Sequence, residues 1–418
     1  MTDQIITYDL NDIHNIINNY ENNIQDEETS CYKVKKIPHN NIHYNKYLIK
    51  YKKDKLTNEN INRVGLFRSV VVYKDNKTDK LSIKVFSPPK SSAYNLFISD
   101  ESNKFNECYI SEIVDGTMIN MFYDEYIDKW IVCTKSNIGA ACKFNLDSNH
   151  TFKSMFVDAF EECSLNYDLF NKTYSYSFVL KHPNNRIVTP VKKPSLVLIS
   201  VYKFVESKVI DVTNYNTALT QFIPKPPTFK YYEFNELFGG EFDDEWLQLT
   251  YVCSEKILRY DIPGYNIYNK FGVRTKIRNL SYEHVKRMKG NGQKLLFTYL
   301  RLRNNDDLLE FLEYFPEYKE EFNGYKERLY SWTEKIYNFY VDCFIYKSTT
   351  LKNCPFEVKP ILYDIQNQYL NELKPNGRKV NFKFIVEYIK KMPVQKIMFS
   401  MNYSLRPVNT MEEQATSE

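Results

Sequence analysis

The stretch SEIVDGTMIN, residues 111–120, places an Asp-Gly turn between two apolar runs. Asp-Gly is a common turn dipeptide, so by itself it predicts only that one strand ends there and another begins. Strands are accordingly predicted around 107–123 and 130–136. A chemical role for Asp115 and Gly116 therefore needs support from other segments of the chain.

The segments around this turn predict an α+β domain of mostly antiparallel strands over residues 61–288. Further strands are predicted at 66–75, 80–88, 175–180 and 195–204. Between them, apolar residues at helical spacing predict a helix over 152–163, with Thr151 as its N-cap.

The two ends of the chain differ from this domain. Residues 1–60 are polar and are predicted to form an irregular lead-in with one short helix near 10–20. Residues 289–407 contain amphipathic helical segments punctuated by prolines and predict an all-helical domain. Residues 408–418 are predicted to be a disordered tail.

The composition excludes several classes of protein. The formal net charge of +4 is too small for a polycation, and no run of eighteen apolar residues predicts a membrane span. The first residues, MTDQIITYDLND, do not resemble a signal peptide, so a cytoplasmic protein is expected. The eight cysteines are scattered without Cys-x-x-Cys spacing, and the histidines form no spaced set, so no metal site is predicted.

Cations recur at particular places in the predicted strands. The segment PNNRIV, residues 183–188, follows one strand, and VRTKIRNLSY, residues 273–282, puts Lys276 and Arg278 on one strand face. Arg68 lies within a predicted strand, and Lys90 follows the end of the next one. These cations would converge on one pocket suited to phosphate if the strands fold together.

In this order, the segments from Arg68 to Tyr282 resemble the phage tRNA-repair type of RNA ligase, within the covalent nucleotidyltransferase superfamily. The similarity is to a divergent branch such as those of large DNA viruses, and it implies a host cytoplasm or virion location. Members of that family bind ATP and a divalent metal, form a lysyl-AMP and seal nucleic-acid ends. The resemblance implies a nucleotidyltransferase domain followed by an all-helical domain. By position it carries over a nucleotide- or phosphate-binding set of Arg68, Lys90, Asp115, Gly116, Lys276 and Arg278, and it matches Asn185 and Arg186 to the family's Asn-Arg pair.

The chain departs from the family at three reactive positions. The nucleophilic lysine is replaced by Ile113, a glutamate by Val179, and the glutamate of a Glu-Gly pair by Pro263. Lysine adenylylation requires an amine that attacks the α-phosphorus, and Ile113 has none. No catalytic residue is therefore assigned, and a pseudoenzyme that binds RNA ends or a nucleotide is the first hypothesis.

Two alternatives stay open. One is an active ATP-dependent ligase with a relocated nucleophile, such as Lys90 or Lys135, and the other is a structural or scaffolding protein of a large DNA virus. No cofactor is assigned outright, and ATP and Mg²⁺ are expected only if nucleotide binding survives.

A second basic region lies at the predicted domain junction. From Arg274 to Arg303 the sequence has nine Lys or Arg residues and one acid, Glu283. Mixed with Tyr282, Phe297 and Tyr299, these cations favour RNA or single-stranded nucleic acid as a partner, because bases stack on rings while phosphates pair with cations. A solvated basic linker over an aromatic core is the alternative. The residues predicted to bind nucleic acid are Lys286, Arg287, Lys289, Lys294, Arg301 and Arg303.

Overall fold

The computed structural model describes residues 5–143, 149–215, 217–229, 244–255, 257–290 and 294–403. The chain divides into two compact units, Met1–Lys286 and Arg287–Glu418. This division falls two residues before the boundary predicted from the sequence.

Within the described residues, the first unit contains three antiparallel sheets. The central sheet has the order β1-β11-β10-β9-β7-β8, the amino-terminal sheet β2-β3-β4-β5, and the β6–β14 sheet β12-β6-β13-β14. The strands are β1 Thr7–Asp9, β2 Tyr32–Ile37, β3 Tyr44–Tyr51, β4 Val70–Asp75, β5 Leu81–Phe86, β6 Tyr109–Glu112, β7 Thr117–Asp124, β8 Lys129–Cys133, β9 Tyr174–Lys181, β10 Ser195–Val205, β11 Lys208–Asp211, β12 Thr228–Phe229, β13 Gly264–Tyr268 and β14 Arg274–Arg278.

Helices pack on each of these sheets. Helix α4 packs on the central sheet, α1 covers the amino-terminal sheet, and α3 and α6 pack on the β6–β14 sheet. The helices of this unit are α1 Ile13–Glu21, α2 Ile61–Val64, α3 Tyr94–Ile98, α4 Phe152–Glu162, α5 Thr217–Thr220, α6 Glu245–Ser254 and α7 Leu280–Lys289, the last of which continues past the unit division.

Helix α4 begins where the sequence predicted. The Thr151 side chain accepts a hydrogen bond from the Ser154 backbone N–H at 3.1 Å, and the Ser154 hydroxyl accepts one from the Thr151 N–H at 3.0 Å. These bonds satisfy amide groups that a helix start leaves unpaired. Residues Phe152, Met155, Phe156 and Ala159 then form the buried stripe, so the prediction of this helix is confirmed.

The structure corrects the prediction for residues 1–60. The short helix is present as α1, but the predicted irregular lead-in contains strands β1, β2 and β3. Tyr44 and Leu48 of β3 are fully buried against Phe122 and Cys133 of the central sheet. In β2, Tyr32 and Val34 alternate with Lys33 and Lys35, which is itself a strand signal, whereas β3 has no regular alternation of apolar and polar residues.

Two local assignments also change. Arg68 lies just before β4 rather than within a strand, and Lys90 lies four residues after β5. Backbone hydrogen bonds join the two segments that contain these residues. The Ser87 N–H donates to the carbonyl of Ser69, next to Arg68, and the Lys90 N–H donates to the Gly65 carbonyl.

The described part of the second unit is helical, as the segments after 289 predicted. Its helices are α8 Leu295–Asn304, α9 Leu308–Tyr314, α10 Lys319–Tyr340, α11 Lys359–Gln368, α12 Phe382–Lys391 and α13 Val394–Met401. The predicted tail, 408–418, lies outside the described residues. In the part of the chain that the structure describes, no helix has the length and apolar character needed to cross a membrane.

Candidate functional site

The strand register of the β6–β14 sheet places Ile113, Lys276 and Arg278 on one face. Ser111, Asn266 and Lys276 lie side by side across three strands, and Gly264 pairs with Arg278 in the next row. The Ile113 N–H donates to the Gly264 carbonyl at 2.8 Å, which extends that row to the Asp-Gly turn. Since alternate residues share a face, the described residues on it are Tyr109, Ser111, Ile113, Thr228, Gly264, Asn266, Tyr268, Arg274, Lys276 and Arg278, with three cations and no carboxylate among them.

The segment before β4 and the loop after β5 each add one cation to this face, Arg68 and Lys90. The Ser92 N–H and hydroxyl both donate to the Arg274 carbonyl, at 2.9 and 3.1 Å, which fixes the loop along β14. Arg68 donates from Nη1 to the Pro88 carbonyl at 3.4 Å, and Lys90 Nζ donates to the neighbouring Ser91 carbonyl. Arg68 and Lys90 thereby stand beside the basic strand.

Arg68, Lys90, Lys135, Arg274 and Lys276 form the cation cluster. Burial lowers the pKa of Lys276 to about 8, assisted by the charges of Arg278, Lys90, Arg274 and Arg68. Burial likewise lowers the pKa of Lys135 to about 8, with the charge of Arg68 the next largest cause. These shifts show that the amines repel one another in a partly desolvated space.

Burial lowers the pKa of Arg68 to about 10, with a further contribution from Arg274, and it also lowers the pKa of Lys90. Within the described residues, no carboxylate lies within 4 Å of the charged groups of the five cluster members. The Arg274 Nε is buried and has no hydrogen-bond partner there. Such an arrangement is unfavourable until an anion supplies the missing charge and acceptors.

Arg278 lies beside the cluster but has partners of its own. Its Nε is 3.6 Å from the Glu283 carboxylate, and its guanidinium carbon is 5.8 Å from the Tyr282 ring centroid. Its charge helps to lower the pKa of Lys276, although Glu283 partly neutralises that charge.

Asp115 is bonded to the protein through both carboxylate oxygens. Its Oδ2 accepts from the N–H groups of Val188 and Thr189 at 2.9 and 2.8 Å, and its Oδ1 accepts from the Tyr282 hydroxyl at 2.6 Å. Only 8% of the residue is exposed. Asp115 therefore joins the Asp-Gly turn to Val188, Thr189 and α7 through hydrogen bonds. Its contact with a ligand remains a prediction.

Gly116 is required by a close approach of two strands. A Cβ at this position would lie 2.5 Å from both the Leu180 carbonyl oxygen and a Val179 methyl group. The glycine thus lets the turn press against β9, which makes its observed role one of packing.

Asn185 and Arg186, matched to the family's Asn-Arg pair, have contacts within the protein. Asn185 is buried and donates from Nδ2 to the Thr117 hydroxyl at 2.8 Å, and Arg186 donates from Nε to the Val188 carbonyl at 3.0 Å. They hold the segment that supplies the two amides to Asp115.

The three replaced positions lie around the turn. Ile113 is half-buried on the face of Lys276, and Val179 is 5% exposed on β9, directly opposite Met118. Pro263 is buried just before β13. Glu112 is the nearest acid in sequence, but strand alternation turns it to the opposite face, where burial and then Asp261 raise its pKa.

A metal site is not assembled from the usual ligands in the described ranges. Those residues contain no group of three or more His, Cys, Asp or Glu side chains with the spacing to hold an ion. His182 instead accepts from the Asn184 N–H and lies 3.3 Å from the Asp158 carboxylate.

The predicted nucleic-acid patch at the junction divides into two kinds of residue. Arg287 and Lys294 are exposed. The other four residues contact groups within the protein. Lys286 Nζ lies 5.4 Å from the centroid of the Tyr282 ring, and Lys289 Nζ lies 5.1 Å from the centroid of the Phe315 ring. Arg301 donates to the Met288 carbonyl, and Arg303 is half-buried and donates to the Asn304 side chain.

The aromatic part of that prediction is wrong for two rings. Tyr282 and Tyr299 are each 2% exposed, so neither ring offers a face on which a base could stack. These two rings therefore cannot supply the base stacking expected for RNA or single-stranded nucleic acid, while Phe297 is half-buried and the charges of the patch remain.

Two members of the cation cluster were absent from the predicted binding set. Arg274 is two residues before Lys276, and the same alternation that joined Lys276 to Arg278 could have identified it. Lys135 was considered only as a substitute nucleophile. Its place in the cluster depends on the long-range packing of β8, for which the local sequence has no signal.

Comparison with known proteins gives a limited sequence match. The chain is 33% identical over 98 residues to an RNA ligase of Rhodothermus phage RM378, which covers 22% of this chain and 22% of the phage protein. The match therefore spans about a fifth of the relative's length. No family model matches the chain.

Solved structures of low similarity include an archaeal ATP-dependent RNA ligase in two forms. Form 1 has a TM-score of 0.36 and 11% identity, covering 61% of this chain and 60% of that one. Form 2 has a TM-score of 0.35 and 12% identity, with coverage of 86% and 71%. A putative ATP-dependent DNA ligase from Aquifex aeolicus has a TM-score of 0.38 and 9% identity, with coverage of 94% and 78%.

Proposed function

We propose that this chain is an RNA ligase-like protein whose cation cluster binds a nucleotide phosphate or the phosphorylated end of a nucleic acid, without forming a lysyl-AMP at position 113. The observation that carries the proposal is the cation cluster itself. Its five cations have no carboxylate partner among the described residues, and the Arg274 Nε is buried without an acceptor. The match of 98 residues to a phage RNA ligase independently supports the RNA ligase-like part of the proposal.

A phosphate suits this cluster better than a carboxylate does. Phosphate oxygens accept several charge-assisted hydrogen bonds at once, and guanidinium and ammonium groups approach them from different directions. The cluster supplies Arg68 and Arg274 as planar donors and Lys90, Lys135 and Lys276 as point charges.

ATP fits the cluster through its phosphates, which Arg68, Lys90, Lys135, Arg274 and Lys276 would hold. Mg²⁺ fits less well, because the face assembled from β6, β13 and β14 has no carboxylate to bind it. Bound ATP would supply an activated phosphoanhydride, and the chain's own residues would orient that group and balance its charge.

The absence of self-adenylylation follows from the side chain at position 113. Ile113 stands half-buried in the row of Gly264 and Arg278, and it offers no lone pair to an α-phosphorus. Val179 and Pro263 likewise cannot accept a proton or bind a metal.

A relocated nucleophile is the second candidate, and the pKa of about 8 at Lys276 favours it. Lys276 lies two strands and one row from Ile113, roughly 12 Å between Cα atoms from sheet spacings. However, burial and then the neighbouring cations cause this low pKa, so a bound polyphosphate would raise it and restore the ammonium form. The lowered pKa therefore fits a phosphate-binding lysine better than a nucleophile.

Equilibrium binding of ATP and of paired oligonucleotides tests the proposal. Wild type should bind ATP and prefer a 5′-phosphorylated oligonucleotide over its 5′-hydroxyl twin. The double variant Arg274→Ala, Lys276→Ala should lose both properties.

The matched control removes two exposed lysines of the central sheet, Lys203→Ala and Lys208→Ala, and should behave as wild type. If wild type binds neither ATP nor either oligonucleotide at low ionic strength, a scaffolding role replaces this proposal.

A further inference from the structure

The amino-terminal sheet carries a row of lysines on the face that packs against β7 and β8. Lys33 on β2 lies directly opposite Lys50 on β3, and Lys35 shares their face one row further along. Leu48, opposite Lys35, is buried with Phe122 and Cys133, which identifies this face. Like charges directly opposite one another destabilise a strand pair, and an anion beside the row would relieve that repulsion.

Lys135 connects this row to the cation cluster. Lys50 Nζ donates to the hydroxyl of Ser136, the residue that follows Lys135, at 2.8 Å. Lys135 Nζ lies 5.2 Å from the Tyr51 ring centroid at the end of β3. Besides burial, the charges of Arg68, Lys53, Lys50 and Lys90 all lower its pKa, so Lys135 is near both groups of cations.

The lysines in this row differ from others on the same sheet. Lys46 pairs with Asp124 at 3.0 Å, and Lys74 pairs with Glu21 at 2.6 Å. Across the described ranges, no carboxylate lies within 4 Å of the amines of Lys33, Lys35, Lys50 or Lys53.

We infer that Lys33, Lys35, Lys50 and Lys53 form, with Lys135, a track for the phosphodiester backbone of a single-stranded nucleic acid that runs toward the cation cluster. The track is inferred from these lysines alone. Only the binding of a terminal phosphate at its end rests on the proposed function. A flexible single strand suits it because the path passes from exposed lysines on an edge strand to half-buried groups at Lys135 and Arg68.

Protection of a sheet edge is the competing explanation for lysines on β2. Natural edge strands use lysine to prevent pairing with other chains. That role accounts for Lys33 and Lys35, but β3 is an interior strand of the sheet, so it accounts for neither Lys50 nor Lys135.

Filter binding of single-stranded RNA and DNA across a salt series, with a short and a long oligonucleotide of each, tests the track. The variant is Lys33→Gln, Lys35→Gln, Lys50→Gln. Its control is Lys36→Gln, Lys203→Gln, Lys208→Gln, which removes the same charge and includes Lys36 on the opposite face of β2.

Loss of three backbone contacts should reduce the log–log salt slope by about 2 and weaken binding of the long strand by roughly a hundredfold at low ionic strength. The control should match wild type, and ATP binding should be unchanged in both variants. Equal loss for RNA and DNA indicates backbone recognition, while selective loss for RNA places ribose contacts on the track as well.

The inference is overturned if the track variant keeps the wild-type slope and affinity, or aggregates without losing affinity, as edge protection predicts. Failure of the proposed function gives a different result, namely no ATP binding and no preference for a 5′-phosphate in any protein, while binding of the long strand still depends on Lys33, Lys35 and Lys50.

Discussion

At the residue scale, burial and the mutual repulsion of the cation cluster make phosphate binding dependent on pH. Lys135 and Lys276 each have a pKa of about 8 in the unbound protein, and a bound anion raises these values. Binding is therefore coupled to proton uptake once the pH exceeds about 8, because amines that are neutral in the free protein must then be charged.

ATP affinity should accordingly be flat from pH 7 to about 8 and then fall by up to roughly tenfold per pH unit for each amine involved. Isothermal titration in buffers of different ionisation enthalpy would measure both the affinity and the proton uptake. Lys276→Arg should shrink the pH dependence, since arginine stays charged. A wild-type affinity that rises above pH 8 contradicts this assignment.

Asp115 is a structural residue in the observed contacts, and its removal should show this in stability. Asp115→Ala leaves the N–H groups of Val188 and Thr189 and the Tyr282 hydroxyl without their acceptor. The expected loss is about 2–4 kcal/mol of unfolding free energy in urea, against about 1 kcal/mol for Tyr282→Phe. The exposed Asp100→Ala is the control. Normal stability with lost ATP binding would instead assign Asp115 to the ligand.

Restoring the family's lysine alone should not restore the reaction. Ile113→Lys places an amine among five existing cations, while Val179 and Pro263 still lack carboxylates. The single variant should form no ligated product from a nicked or open RNA, and the triple change with Val179→Glu and Pro263→Glu has the better prospect, although buried new charges cost several kcal/mol in stability. Efficient sealing by Ile113→Lys would show that the glutamate positions matter less than this account holds.

At the element scale, strand alternation explains which site predictions the sequence could support. Lys276 and Arg278 were placed on one face correctly, because side chains in a strand alternate by simple geometry. The same rule fixes the position of Ile113 once its N–H bond to Gly264 is known. The same rule could have identified β2, where Tyr32 and Val34 alternate with Lys33 and Lys35, but not β3, whose sequence YNKYLIKY has no regular alternation.

The helices at the junction make the predicted basic patch uneven. Arg301 donates to the Met288 carbonyl and so satisfies a backbone acceptor near the end of α7, while Lys294 is exposed. Arg301→Ala should therefore lower the unfolding free energy by about 1–3 kcal/mol, as measured in urea, and leave the salt slope of RNA binding nearly unchanged. Lys294→Gln should leave stability unchanged. A reversed pattern would mean that Arg301 contacts nucleic acid.

At the scale of the whole molecule, the order of segments predicted an antiparallel domain followed by helices, and both are present in the described residues. What the sequence could not supply was contact between distant segments. Lys135 and Arg68 are 67 positions apart in the printed sequence and become neighbours only through the packing of β8 near the start of β4. Similarly, nothing local to Asp115 indicates that residues 188, 189 and 282 would occupy its oxygens.

The central claim is phosphate binding without a covalent adduct, and one labelling experiment tests it directly. The protein is incubated with α-labelled ATP and Mg²⁺, and the sample is divided between a native filter assay and a denaturing gel. The account predicts label retained on the native filter, reduced by Arg274→Ala with Lys276→Ala, and no label on the denatured protein. Label that survives denaturation and maps to a lysine, or no native retention at all, would contradict it.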